Sequence, residues 1–398
     1  MGAGFLYDEF VYAACSTGSL SYINFRVIFH GKSFSRNTKN AETHGCYLAG
    51  TSMKVSRHMK AGGFDMVSSK DVAKYAGVSQ TTVSRVLNTP DRVKEPTYKK
   101  VMAAIDELNY IPDANARSLV QQKTDTIALI SGPLYNPFFV ETTTSIVNYA
   151  NENGFKINVH FSKNENITDT YHSIFENKVD GIILSSILLE DPIFEKLEKS
   201  GIPFITYNRK HESNKNFVEM DNEQAGFLAG DYLLSLGHDK ICWVGGPLET
   251  STFKGRYDGF LRAFQKNGIA VEQERVFLTD TSKEELRKTF LKMEQLEDKP
   301  TAIYAATDAI AIQMMDFYIS AGYRIPEDIS IIGIDNVEIG QHASINLTTV
   351  GITSSANLGQ LAIETLIDMI REKNNPCIQI TKAVRLFERK TTMARRRV

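Results

Sequence analysis

Seven short runs rich in β-branched and aromatic residues, Ile127–Ser131, Lys156–Phe161, Gly181–Ser185, Pro203–Tyr207, Lys240–Val244, Thr301–Ala306 and Ile329–Asp335, alternate with amphipathic helical stretches. This alternation predicts an α/β fold with parallel sheets, because the helices act as crossovers between strands. The helices end at Gly154, Gly201, Gly237, Gly268 and Gly322, each placed to form a left-handed cap. Gly226 and Gly230 have the spacing found in membrane-helix dimers, but here it is read as close packing of a helix on a sheet. Trp243, the sole tryptophan, falls mid-strand and is expected in the core.

The chain has 398 residues, 42% hydrophobic and 23% charged, enough for two or three domains with real cores. Ser, Gly or a charge interrupts every apolar run before the roughly 18 residues of a membrane-spanning helix. Cys15, Cys46, Cys242 and Cys377 form no Cys-x-x-Cys, and the eight histidines form no His-Glu-x-x-His. Zinc-ribbon, thioredoxin-like and zincin readings fall away, no metal or cofactor is expected, and a reducing, cytoplasmic compartment fits best.

Charge is unevenly distributed. Residues 66–123 carry nine Lys/Arg against six Asp/Glu, residues 1–65 seven against four, and residues 124–398 carry 29 against 37. A mildly basic front on a body of charge −8 suggests a polyanion partner held at one end.

Residues 1–65 show no sustained hydrophobic period. Tyr12-Ala13-Ala14-Cys15 faintly resembles a lipoprotein cleavage site, but Asp8 and Glu9 stand where a secretory signal needs a basic start. Ala61-Gly62-Gly63-Phe64-Asp65-Met66 back-translates to a sequence able to contain AGGAGG just before ATG, as a bacterial ribosome-binding site does. Residues 1–65 are therefore expected to be a non-native upstream extension with the start at Met66; a disordered tail is the alternative. The nucleotide sequence of codons 61–63 decides between them.

From Met66 the pattern sharpens. Ser68 with Asp71 reads as an N-cap with an acidic first turn, opening a helix over Ser69–Ala76 with Val72, Ala73 and Ala76 on its apolar face. Gly77-Val78-Ser79 is a turn into a second helix, Gln80–Asn88, with Val83, Val86 and Leu87 inward. A third helix, about Glu95–Leu108, repeats the stripe at Val101, Ile105 and Leu108. Gln80, Thr81, Ser84, Arg85 and Asn88 remain outside, and these side chains suit the major groove: Gln pairs bidentately with adenine and Arg with guanine. Any small helical hairpin exposes polar residues, but here turn, caps and exposed donors agree.

The runs Asp71-Val72-Ala73-Lys74-Tyr75-Ala76-Gly77-Val78-Ser79 and Thr82-Val83-Ser84-Arg85-Val86-Leu87-Asn88 resemble the N-terminal signature of the lactose and galactose repressor (LacI/GalR) family of bacterial transcription regulators. So do Leu108-Asn109-Tyr110-Ile111-Pro112 and Ala114-Asn115-Ala116-Arg117-Ser118-Leu119, and the resemblance extends from about Met66 to Thr392. Lys94 departs from it, standing where many relatives carry a Ser or Thr cap.

The resemblance implies a helix-turn-helix domain at 66–111, a hinge at 112–123 and an effector-binding and dimerisation core at 124–398. That core is expected to be periplasmic-binding-protein-like, with one subdomain of about 124–221 and 352–381 and another of about 222–351 and 382–394, the chain crossing near Asp221, Gly351 and Thr381. DNA contacts are expected from Ser68, Ser79, Gln80, Thr81, Thr82, Ser84, Arg85, Asn88 and Tyr110, and from the hinge residues Asn115, Ala116, Arg117 and Leu119. The hinge makes barely two helical turns, marginal alone. It is expected to become helical on a palindromic operator, with Leu119 wedged into the minor groove.

A ligand would lie beyond the carboxyl ends of both sheets. The residues there are Asn136, Pro137, Phe138, Phe139, Ser185, Asn208, Arg209, Arg256, Thr307, Asp308 and Asp335, of which the resemblance makes Arg256 and Asp335 effector contacts. Aromatic faces with paired Asp and Arg suit a polyhydroxylated ligand, so a carbohydrate is expected. A purine or other non-sugar metabolite is the alternative, and two arginines leave room for an anionic or phosphorylated compound. Each residue also has a structural reading: Asp after a strand often caps a helix, and Phe138-Phe139 could be core.

Two other classes are weaker. A periplasmic sugar-binding protein would need an export signal and no helix-turn-helix, and an enzyme would show a dinucleotide fingerprint, a P-loop or a nucleophile elbow, none of which occurs. The expectation is a DNA-binding regulator, most plainly a repressor. It should be a homodimer reading two half-sites, with Arg395-Arg396-Arg397-Val398 following the last strand and no heptad repeat to join dimers into a tetramer.

Overall fold

Ser68 caps the first described helix: its backbone N–H and its hydroxyl both donate to Asp71 Oδ2, at 2.9 and 2.6 Å. These bonds hold the Asp71 carboxyl below the usual carboxylate range. The computed structural model describes residues 67–112, 123–161, 167–176, 178–372 and 377–395. The expectations for residues 1–65, for Asn115, Ala116, Arg117 and Leu119, and for Arg396, Arg397 and Val398 lie outside the described residues.

Helix α1 (Ser69–Ala76) closes on Gly77 at φ 66°, and α2 (Gln80–Asn88) opens with Ser79 Oγ accepting from Thr82 N–H at 3.1 Å. Helix α3 (Glu95–Glu107) starts at Lys94, which makes no side-chain cap bond, with Pro in its first turn. It stops one residue short of Leu108 because Asn109 turns to φ 47°. Val72, Ala73, Val83, Val86, Val101, Ala104 and Ile105 form the buried core of the three helices, matching their apolar stripes.

The rest of the described chain builds two six-stranded sheets. The first contains β1 (Thr126–Ser131), β2 (Lys156–Phe161), β3 (Gly181–Leu184), β4 (Phe204–Tyr207), β5 (Phe217–Met220) and β11 (Gln379–Lys382), in the order β11-β5-β4-β3-β1-β2, all parallel. Its helices are α4 (Pro137–Glu152), α5 (Ile167–Glu176), α6 (Ile193–Ser200) and α11 (Leu358–Glu372). The second contains β6 (Ile241–Gly245), β7 (Val276–Leu278), β8 (Ala302–Ala305), β9 (Ser330–Ile334), β10 (Thr348–Ile352) and β12 (Val384–Phe387), in the order β12-β10-β9-β8-β6-β7. Only β10 and β12 pair antiparallel. Its helices are α7 (Asn222–Ser235), α8 (Ser251–Lys266), α9 (Lys283–Glu294) and α10 (Asp308–Ser320). The chain passes between sheets after Met220, after Ile352 and at Ala383.

This is the parallel α/β architecture that the alternating pattern predicts. Strands β5, β7, β10, β11 and β12 were not among the seven runs; they are three to five residues long and carry polar residues such as Glu219, Thr348 and Arg385. Gly226 and Gly230 permit close packing of helix on helix rather than of helix on sheet. Their close neighbour is helix α8, not a sheet: a Cβ on Gly226 would lie 2.1 Å from the Arg256 carbonyl oxygen, and one on Gly230 3.0 Å from Ala263 Cβ. Trp243 is fully buried, its ring seated over Gly245, where a Cβ would lie 2.1 Å from the indole.

Candidate functional site

Strands that run parallel end their carboxyl termini on one side, and the loops there meet around a cavity of about 380 Å³ between the two sheets. Phe138 and Phe139 from the first turn of α4, Asn208 and Arg209 after β4, Arg256 from α8 and Asp335 after β9 all line it. Hydrogen bonds join the two halves beside it: Thr252 Oγ1 donates to Asn208 O at 2.7 Å, Lys210 N–H to Ser251 Oγ at 2.8 Å, and Glu338 N–H to Glu141 Oε1 at 2.8 Å.

Phe138 and Phe139 are both cavity wall and core. They are buried within the first sheet's hydrophobic cluster, edge-to-face at 5.3 Å, and Phe139 rests over Gly132, which has no room for a Cβ.

Arg256 is fully buried, and its donors are largely used inside the protein. Nε donates to Asn222 Oδ1 at 3.1 Å, Nη1 to the Ala306 carbonyl and Nη2 to Asp335 Oδ1 at 2.7 Å. Burial raises the Asp335 pKa, and the Arg256 charge and hydrogen bond oppose that rise. Asp335 sits at φ 134° and Asn336 at φ 57°, a strained corner held by Asp335 N–H donating to Val350 O at 2.8 Å. Gly351 leaves room for it, since a Cβ there would meet Asn336 Cβ at 2.4 Å.

Two expected contacts stand behind the wall instead. Ser185 Oγ accepts from Gly132 N–H at 2.9 Å and donates to Ile130 O at 3.2 Å, tying the ends of β1 and β3. Asp308 is fully buried, its carboxylate accepting from Val337 N–H at 2.9 Å and Thr349 Oγ1 at 2.5 Å. Burial and the neighbouring Asp335 push its pKa up to about 7. Both side chains spend their polar atoms on the scaffold, and neither lines the cavity.

Arg209 is the converse case. Its Nε is buried without a hydrogen-bond partner, and the side chain makes no ion pair among the described residues. Burial, with Arg256 nearby, pushes its pKa down to about 10, so it remains cationic at neutral pH.

Sequence reasoning missed Tyr135, Thr252, Phe253, Lys283, Leu286 and Gln313, which also line the cavity. Thr252 and Phe253 follow the foreseen strand Lys240–Val244 and could have been found by the same strand-end rule. Lys283 follows β7, whose three residues gave no legible signal.

On the helix-turn-helix, Ser68, Ser79, Gln80, Thr81, Ser84 and Arg85 are exposed, while Thr82, Asn88 and Tyr110 are half-buried. Ser68 and Ser79 are occupied as caps, Tyr110 packs on the three-helix core, and Asn88 Nδ2 donates to Ser84 Oγ at 3.2 Å. The Gln80 amide donates to Ser69 Oγ at 2.9 Å, joining α2 to α1.

A match to the family described as bacterial regulatory proteins, lacI family, spans residues 69–113, and one to the periplasmic binding protein-like domain spans residues 231–392. The HTH-type transcriptional repressor PurR of Aliivibrio salmonicida (strain LFI1238) is 35% identical over 314 residues, 78% of this chain and 94% of the relative. The chain belongs to the lacI family of bacterial regulatory proteins. The PurR repressor of Photobacterium profundum is 34% identical over 332 residues, 80% of this chain and 99% of the relative. Among solved structures, the lac repressor dimer bound to operator and the anti-inducer ONPF aligns with TM-score 0.70 and 28% identity over 83% of this chain and all of that one. A LacI family regulator from Enterococcus faecium with bound ribose aligns at TM-score 0.60 and 29% identity, over 68% of this chain and 100% of that one.

As a lacI-family repressor, the protein binds DNA through its helix-turn-helix. No described helix is long and apolar enough to cross a membrane, and no three His, Cys, Asp or Glu among the described residues cluster as metal ligands.

Proposed function

We propose that this repressor binds a palindromic operator as a homodimer in the bacterial cytoplasm, and that a small molecule in the cavity between the sheets sets its operator affinity. The cavity itself carries the reading: it lies where bonds such as Thr252 to Asn208 join the halves, so an occupant touches both at once. Leu278 on edge strand β7, Leu291 on α9 and Ile319 on α10 are 55%, 50% and 56% exposed, which favours a partner surface on the second sheet's side.

The ligand chemistry favours a purine or other flat non-sugar metabolite over the carbohydrate expected from sequence. Paired contacts to adjacent hydroxyls need a free Asp and a free Arg, but Asp335 and Arg256 satisfy each other. Phe138, Phe139, Tyr135, Phe253, Leu286 and Ile310 present flat and aliphatic faces instead. The repressors matched at 34–35% identity also carry the name PurR.

For DNA, Gln80, Thr81, Ser84 and Arg85 are the reading side chains; Asn115, Ala116, Arg117 and Leu119 are proposed from sequence alone. The test selects an operator from random duplexes and measures its affinity by fluorescence anisotropy. Arg85→Ala should lose about 1–3 kcal/mol, and Gln80→Ala should relax preference at one base pair, as expected of base contacts. A uniform loss on all duplexes with a salt slope lower by about one would mark a phosphate contact instead. No change in either variant would show that α2 does not read DNA.

A further inference from the structure

Four charged side chains line the cavity: Arg209, Arg256, Lys283 and Asp335. Arg256 and Asp335 neutralise each other at 2.7 Å, which leaves Arg209 and Lys283 facing the space. Among the described residues, the carboxylate that pairs with Lys283 is Asp316, at 4.0 Å and exposed. A net positive wall is unexpected in a body with 29 basic and 37 acidic residues over 124–398. The first turns of α8, α9 and α10, through Thr252, Lys283, Ala309 and Ile310, point the positive ends of their dipoles the same way.

Arg209 is the decisive side chain. A buried guanidinium donor without a partner is costly to keep, and of the five buried side-chain polar atoms without a partner among the described residues, only Arg209 Nε belongs to a residue that lines the cavity. Its place is fixed rather than incidental. Asn208, at φ 67°, turns the chain after β4, and its carbonyl accepts from Thr252, so the corner that presents Arg209 is bonded to the opposite half.

We propose that the molecule held in this cavity carries an oxyanion, a phosphomonoester or a carboxylate, and that the Arg209 guanidinium binds it. This rests on the reading of the cavity as the effector site. Lys283 at the start of α9 supplies longer-range attraction, while the aromatic residues cover the uncharged part of the ligand. Two parallel N–H donors on one planar group match either oxyanion, so charge and geometry act together.

The test uses full-length protein and matched neutral and anionic probes: adenosine against adenylate, uridine against uridylate, glucose against gluconate, and nicotinamide against nicotinate. Binding is measured by calorimetry and its consequence by operator anisotropy. At least one anionic probe should bind more tightly than its neutral partner and change operator affinity. The phosphate and carboxylate pairs tell which oxyanion is preferred. Arg209→Gln should lower the anionic-to-neutral affinity ratio about 10- to 100-fold, as loss of a charged hydrogen bond does. Arg209→Lys, which keeps the charge but not the fork, should retain part of the preference. Binding by neutral probes alone, an unchanged ratio in Arg209→Gln, or no binding by any anionic probe would overturn the oxyanion site. An anionic probe that binds through Arg209 but leaves operator affinity unchanged would overturn the reading of the cavity as the effector site instead.

Discussion

A carboxyl group with no access to water, such as Asp308, ties stability to pH through its proton. Folded, it holds that proton up to about pH 7; unfolded, it releases it near its ordinary 3.8. The native state therefore binds more protons between those values, and this group's contribution is fully present below about pH 4 and lost as pH rises through 7. Asp308→Asn keeps an acceptor for Val337 N–H and has nothing to titrate. Urea midpoints should fall from pH 5 to pH 7.5 in the wild type and fall less in the variant; parallel falls would clear Asp308 of the effect. Gly333 must remain glycine for the same carboxyl, since a Cβ there would lie 2.1 Å from Asp308 Oδ1. The Arg256–Asp335 pair obeys a related rule: removing either partner leaves a buried charge uncompensated, which costs about 3–5 kcal/mol.

Helices α7 and α8 meet backbone to backbone, and that contact places Arg256 in the cavity wall. Gly226 receives the Arg256 carbonyl, while Gly259 of α8 lies where a Cβ would be 2.0 Å from Glu223 O. Gly226→Ala cannot be absorbed by rotating a side chain, because the obstacle is backbone. Overpacking of this kind typically costs about 1–3 kcal/mol. It should also displace Arg256 from Asn222 and Asp335, so the variant should show a lower unfolding midpoint together with weakened ligand binding. A Gly226→Ala protein with wild-type thermal stability would mean the helices can separate freely.

For the whole molecule, the two sheets share only a few polar ties among the described residues, and an occupant of the cavity adds to them. Dimerisation is the complementary question. Leu278 lies on edge strand β7, Leu291 on α9 and Ile319 on α10, which packs against α9, and these exposed apolar residues are expected to be covered by a second copy. Ile319→Glu should shift sedimentation from dimer to monomer and weaken operator binding, because one reading head alone loses its half-site partner. A variant that sediments as the wild type would move the interface elsewhere.

Local chemistry was legible in the sequence wherever one residue and its near neighbours decide the outcome. The caps at Ser68 and Ser79, the bounds of α1 and α2, and the positive φ of Gly154, Gly201, Gly237, Gly268 and Gly322 all follow from short-range sterics and hydrogen bonding. The parallel sheets followed from the alternating period. Only the tertiary structure decided how polar side chains divide between scaffold and cavity. Ser185 and Asp308 follow strands just as Asn208 and Asp335 do, yet the first two bond to the scaffold behind the wall and the latter two line the cavity. The same holds for the arginines. Which guanidinium is satisfied depends on Asn222, Ala306 and Asp335 lying within about 3 Å of Arg256 while no described acceptor reaches Arg209 Nε, and residues so far apart in the chain are brought together only by folding.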